Sequence, residues 1–146
     1  MSYLPPLAAL MKKLNIARDQ LDGEEPVIVP APVLKALLRL AAPNSDFDED
    51  GYLDRNPDVR AAIEAGRVAN AHAHFAAVGY FEGRRGAVPI DEGWYLHSYP
   101  DVRSAVDAGV LRSAADHFYA IGAAEGRSPS RDALTEARKW KRALNG

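Results

Sequence analysis

One 38-residue stretch of this chain occurs twice. Residues 47–84 align without a gap on residues 90–127 at a constant offset of 43, and 19 of the 38 paired positions are identical. The identities fall in blocks: Asp48-Glu49 on Asp91-Glu92, Tyr52-Leu53 on Tyr95-Leu96, and Pro57-Asp58-Val59-Arg60 on Pro100-Asp101-Val102-Arg103. Further along, His74-Phe75 matches His117-Phe118, Gly79 matches Gly122, and Glu82-Gly83-Arg84 matches Glu125-Gly126-Arg127. A duplicated unit of this length is one supersecondary element that stacks on its neighbour, and a chain of 146 residues is long enough for one compact domain built from two such units.

Punctuation inside the unit spells three short helices. The first starts at Asp48 or Asp91, where acidic residues suit the unpaired amides of a first turn. It stops before the proline, which disfavours helix in the preceding residue. The second opens with Pro57 or Pro100 at the first helical position and ends at Gly66 or Gly109 as a left-handed cap. Within it Val59, Ala62 and Ile63, like Val102, Ala105 and Val106, sit at helical spacing. The third follows Asn70 or Ser113 as N-caps, with Gly79 or Gly122 as its stop. Each unit is too small to bury its apolar face alone, so the two copies are expected to pack together, aided by the chain's 26 alanines.

The flanks are helical too. Residues 6–21 read as one amphipathic helix with Leu7, Leu10, Met11, Leu14, Ala17 and Leu21 on one stripe. Val27-Ile28-Val29 between prolines is an extended connector, and residues 32–41 form a second helix. After the repeats, Ser128-Pro129-Ser130 opens a last helix running to about Leu144. The expected fold is all-α: an N-terminal helical segment (1–45), repeat 1 (46–86), repeat 2 (87–129) and a basic C-terminal helix (130–146).

Composition narrows function by exclusion. With 18 basic against 20 acidic residues, the chain is not the globally basic kind that binds nucleic acid, and the acidic middle opposes such a role for the basic terminal helix. No cysteine is present, which removes disulfides, thiolate metal sites and a cysteine nucleophile. No apolar run approaches the roughly 18 residues of a membrane span, and the N-terminal residues lack the basic, apolar pattern of a cleavable signal, so a cytoplasmic protein is expected. Charge is unevenly spread: residues 46–64 hold seven acids and two arginines, whereas residues 128–146 hold five basic residues and two acids.

No catalytic motif emerges. Residues 46–54 open like a calcium loop, with carboxylates at positions one, three, five and nine and glycine at six, but Pro57 stands where the bidentate carboxylate belongs. Repeat 2 loses the pattern, with Gly93 for Asp50 and Trp94 for Gly51. His72 and His74 are two apart and point to different sides of a helix, unlike a zinc-protease pair. His74 and His117 are equivalent, and read as hydrogen-bonded structural imidazoles rather than metal or catalytic groups. Arg84 and Arg127 are expected to tie their loops to the neighbouring unit, while Tyr52 and Tyr95 belong to the core. Trp94 and Tyr99 are private to repeat 2, which makes them candidate partner-binding residues, together with Arg138, Lys139 and Arg142 of the basic helix. No metal or cofactor is implied.

The pattern Tyr-Leu-x-x-x-Pro-Asp-Val, then Ala-Gly, then His-Phe-x-x-x-Gly-x-x-Glu-Gly-Arg resembles short tandem helical repeats of proteobacterial proteins that bear glycosyltransferase domains, and of large RTX-like cell-surface proteins. The resemblance spans residues 47–127. It implies a non-catalytic helical module linked to envelope polysaccharide. The expected function is therefore a non-enzymatic protein-interaction or adaptor module in exopolysaccharide or cell-surface assembly, with a protein partner and a homodimer through the N-terminal helices. The rival expectation is a carbohydrate- or calcium-dependent surface-binding module.

Overall fold

The computed structural model describes residues 3–145 and is all-α, with ten α-helices and no strand among those residues. The chain divides into two compact units, Met1–Ser45 and Asp46–Gly146.

In the first unit the anticipated single helix over 6–21 is two: α1 (Leu7–Leu14) and α2 (Arg18–Asp22). The break is at Asn15, which adopts the left-handed conformation (φ 55°) while Ile16 N–H donates to the Met11 carbonyl at 2.9 Å. Asparagine tolerates that conformation where most residues do not, so it stops a helix whose apolar stripe would have continued. Residues 24–30 carry no helix or strand, and α3 (Ala31–Ala41) follows, closing in a 3₁₀ turn at Ala42–Asn44. α1, α2 and α3 contain no buried residue.

The second unit holds two runs of elements at the offset of the sequence repeat. α4 (Glu49–Arg55), α5 (Pro57–Glu64) and α6 (Ala71–His74) correspond to α7 (Glu92–Ser98), α8 (Pro100–Asp107) and α9 (Ala114–His117). Asp48, Asn70, Asp91 and Ser113 cap their helices through side-chain oxygens that accept the backbone N–H of Gly51, Ala73, Trp94 and Asp116. Gly66 and Gly109 are left-handed, at φ 72° and 73°.

The third helix does not stop at Gly79 or Gly122. α6 and α9 each run on through a π-helical turn, Phe75–Gly79 and Phe118–Gly122, in which Tyr80 N–H donates to the Phe75 carbonyl (2.8 Å) and Ala123 N–H to that of Phe118 (2.9 Å). The left-handed residues are instead Gly83 and Gly126. Arg84 and Arg127 N–H close these ends on the Gly79 and Gly122 carbonyls at 3.0 and 2.9 Å, the bonding of a Schellman cap.

Each repeat builds its own aromatic core. Tyr52, Val59, Ala71, Phe75 and Ala87 form one, backed by Phe47, Leu53 and Ile63. Tyr95, Val102, Ala114 and Phe118 form the other, backed by Trp94, Tyr99 and Val106. The premise that each unit is too small to bury its own apolar face is corrected: three aromatic rings in the first unit and five, with Tyr119, in the second supply area that small aliphatic residues could not. The linker stitches the two, since Ala87 packs in the first core while Val88 and Ile90 pack against the second. Val88 N–H donates to the Tyr119 hydroxyl (2.9 Å), and Arg55 pairs with Asp116 (3.1 Å).

α10 (Leu134–Asn145) begins later than the serine-proline segment suggests. Ser128 is buried, with its hydroxyl donating to the Ser130 carbonyl at 2.7 Å, and Ser130 Oγ accepts from Ala133 N–H. That turn absorbs residues which sequence pattern assigns to a helix start.

Candidate functional site

The residues shared by both repeats are occupied with one another. The buried Tyr52 hydroxyl is hydrogen-bonded to His74 Nδ1 at 2.9 Å, and that of Tyr95 to His117 Nδ1 at 2.8 Å. The backbone of Gly79 or Gly122 lies against each hydroxyl. Burial pushes both phenols above their ordinary range, Tyr95 up to about 12.

Beside each pair sits an arginine clamp. Arg127 grips both oxygens of Asp101 at 2.9 and 2.7 Å, donates from Nε to Glu125 at 2.7 Å, and lies 4.9 Å from the centre of the Tyr99 ring. Arg84 likewise donates to Glu82 (2.6 Å) and Asp58 (2.8 Å). The hydrogen bond from Arg127 holds the Asp101 carboxyl at about 2, and that from Arg84 lowers Asp58 as well. The expectation that these arginines tie one unit to the next is corrected. Both close on the first turn of the second helix of their own repeat, because the Schellman end points the guanidinium back over it.

Tyr99, a candidate partner-binding residue in the sequence, is engaged within the repeat. Its ring packs 4.7 Å from that of Tyr95, and its hydroxyl accepts from Ser128 N–H at 2.9 Å. The matched residue in repeat 1, Asn56, went unnoticed in the sequence, yet it does the corresponding job. Its buried amide donates to the Tyr52 and Arg85 carbonyls at 2.8 and 2.9 Å. A tyrosine and an asparagine thus fasten the linker at equivalent points, 85 and 128, by different chemistry.

The acidic segment 46–54 is not gathered into a cation site. Asp48 caps α4, Asp54 pairs with Arg60 at 3.1 Å, and among the described residues no group of three or more histidines and carboxylates could hold a metal ion. Of the other histidines, His72 stacks on Phe47 (4.5 Å, 4° between planes) and His97 is exposed.

What remains is a groove at Trp94. It has a volume of about 590 Å³ and is lined by Asp48, Asp91, Trp94, Arg131 and Asp132, with Ile90 beneath. Trp94 is half-buried, edge-on to Tyr99 with ring centroids 6.0 Å apart. No protein-family model matches the chain, and no curated protein or solved structure is significantly similar to it.

The other sequence candidates lie elsewhere. Arg138, Lys139 and Arg142 are exposed on α10, where Lys139 pairs with Glu136 at 2.7 Å. They do not join Trp94 in the groove. No helix of the described residues is long and apolar enough to cross a membrane.

Proposed function

We propose that this chain is a cytoplasmic, non-enzymatic protein-interaction module whose duplicated helical scaffold presents surfaces to a protein partner. One observation carries the reading: the amphipathic helices of the N-terminal unit leave their apolar faces partly uncovered. Leu7, Leu34 and Leu37 are 48, 49 and 40% exposed, and an apolar crevice of about 460 Å³ opens between Leu4, Leu10, Val33 and Leu37. An amphipathic helix gains most of its stability by burying such a face, so a helix pair that leaves it open is suited to docking. The internal use of the Tyr–His pairs and arginine clamps is consistent with a scaffold role for the shared residues. A setting in exopolysaccharide or cell-surface assembly rests on the resemblance of the repeats.

Affinity capture from source cells with the full chain, beside a Leu34→Glu/Leu37→Glu variant, tests the reading, with light scattering reporting self-association. A specific partner, or a dimer, that is lost in the variant supports it. A monomer with the same unspecific profile as the variant rejects it.

A further inference from the structure

The groove at Trp94 exists because the two repeats differ at matched positions. In repeat 1 the residue equivalent to Trp94 is Gly51, and the linker residue facing it is Gly86, at φ 101°. Their backbones lie so close that a Cβ on Gly86 would overlap the Gly51 carbonyl. Asp48 N–H then donates to the Ala87 carbonyl at 2.7 Å and the linker lies flat on α4. In repeat 2 an indole replaces Gly51 and Pro129 replaces Gly86. Asp91 N–H donates to the Pro129 carbonyl at 3.1 Å, one residue earlier in the linker than the matching bond of repeat 1, and residues 130–132 line the cavity beside Trp94. Repeat 1 completes the same helices with glycine at this position and only a smaller cavity, of about 140 Å³, beside Asp48, Gly51 and Gly86, so these helices form without an indole there.

The groove has a definite charge. Asp48, Asp91 and Asp132 face one guanidinium, Arg131, and the exposed Glu49 and Asp50 stand next to Asp48 in the first turn of α4. The helix caps engage Oδ1 of Asp48 and Asp91. A tryptophan beside a surplus of carboxylates is the chemistry that binds an organic cation, through the ring quadrupole and Coulomb attraction together. A neutral ligand gains hydrogen bonds from those carboxylates but no net Coulomb attraction.

We propose that this groove binds a lysine or arginine side chain presented by a basic segment of a protein partner, with the cation at the Trp94 ring and among Asp48, Asp91 and Asp132. The proposal deepens the interaction-module reading and rests on it. It uses a surface other than the α1–α3 face, so the two can fail separately.

The test uses the full chain carrying Trp140→Phe, which leaves Trp94 as its only tryptophan. A capped octapeptide alternating glycine with arginine is titrated, followed by Trp94 emission and by calorimetry, against the same peptide with glutamine for arginine. The expected result is a shift of Trp94 emission, binding at least tenfold tighter for the arginine peptide, and weakening with salt. Asp48→Asn/Asp91→Asn/Asp132→Asn should weaken binding tenfold or more with unchanged circular dichroism, because asparagine caps helices as well as aspartate. Equal binding by that variant, an unmoved emission, no binding at millimolar peptide, or a preference for a neutral oligosaccharide that quenches Trp94 would each overturn the proposal. Partner capture that persists in the triple variant and is lost in Leu34→Glu/Leu37→Glu would overturn the groove assignment while leaving the module reading intact.

Discussion

Gly79 lies directly against the hydroxyl of Tyr52, with no room for a Cβ between them. The π turn over Phe75–Gly79 carries the backbone to this point, and the hydroxyl is held there by His74. Alanine normally stabilises a helix relative to glycine by about 1 kcal/mol. Here the methyl would strike a buried polar group, so the sign reverses. Gly79→Ala and Gly122→Ala should each destabilise the protein by roughly 1–3 kcal/mol, read from urea midpoints. A gain in stability from either would show that the hydroxyl yields freely.

The Tyr95 phenol has a pH consequence. Its folded pKa of about 12 lies above the roughly 10 of an unfolded tyrosine, so the folded state holds this proton more tightly. Its contribution is complete below pH 10 and is lost as pH rises from 10 through 12, at most roughly 2–3 kcal/mol. Thermal melts between pH 8 and 12 should fall less steeply for Tyr95→Phe than for the parent chain.

Asp101 works in the opposite direction. Its folded pKa of about 2 lies below the roughly 3.9 of the unfolded chain, so the Arg127 clamp stabilises above pH 4 and weakens as pH falls through 2. The carboxylate is 61% exposed, so solvent screening keeps the effect small. Asp101→Asn should lower Tm by a few degrees at pH 7, and the gap should close by pH 2.

Removing residues 1–45 should leave the rest folded. Every buried apolar residue except Ala42 lies in Asp46–Gly146, inside the two aromatic cores or the linker between them. The shortened chain should keep the near-ultraviolet signal of its tyrosines and tryptophans and melt within about 3 °C of the parent. Loss of cooperative melting would place part of the core in the N-terminal unit.

Several features were legible in the sequence because they depend on neighbours along the chain. Asp48, Asn70, Asp91 and Ser113 cap helices by reaching N–H groups three residues on, and Pro57, Pro100, Gly66 and Gly109 act through their own dihedral angles. Even Trp94 stood out, since Gly51 occupies its place in the other copy. Asn15 shows the limit of this reasoning. Its helix-ending conformation competes with an apolar stripe that runs straight through it, and periodicity favours the stripe.

Other assignments needed the third dimension. Gly79 and Gly122 look like helix stops, but their lack of a side chain serves a tyrosine 27 residues earlier in each repeat. Arg84 reaches Asp58 across 26 residues, and the groove assembles Asp48, Asp91 and Asp132 from three separate turns. No spacing rule encodes such meetings.

The amino-acid sequence alone determined that this protein is helical and duplicated, and where most of its helices begin, because caps, prolines and left-handed glycines act within one turn of the backbone. Only the tertiary structure decided that each copy has its own core, that the arginines close on their own repeat, and that a wider groove opens beside Trp94 than beside Gly51. Those outcomes depend on which side chains meet across a packed interface, and packing is a property of volumes brought together rather than of positions along a chain.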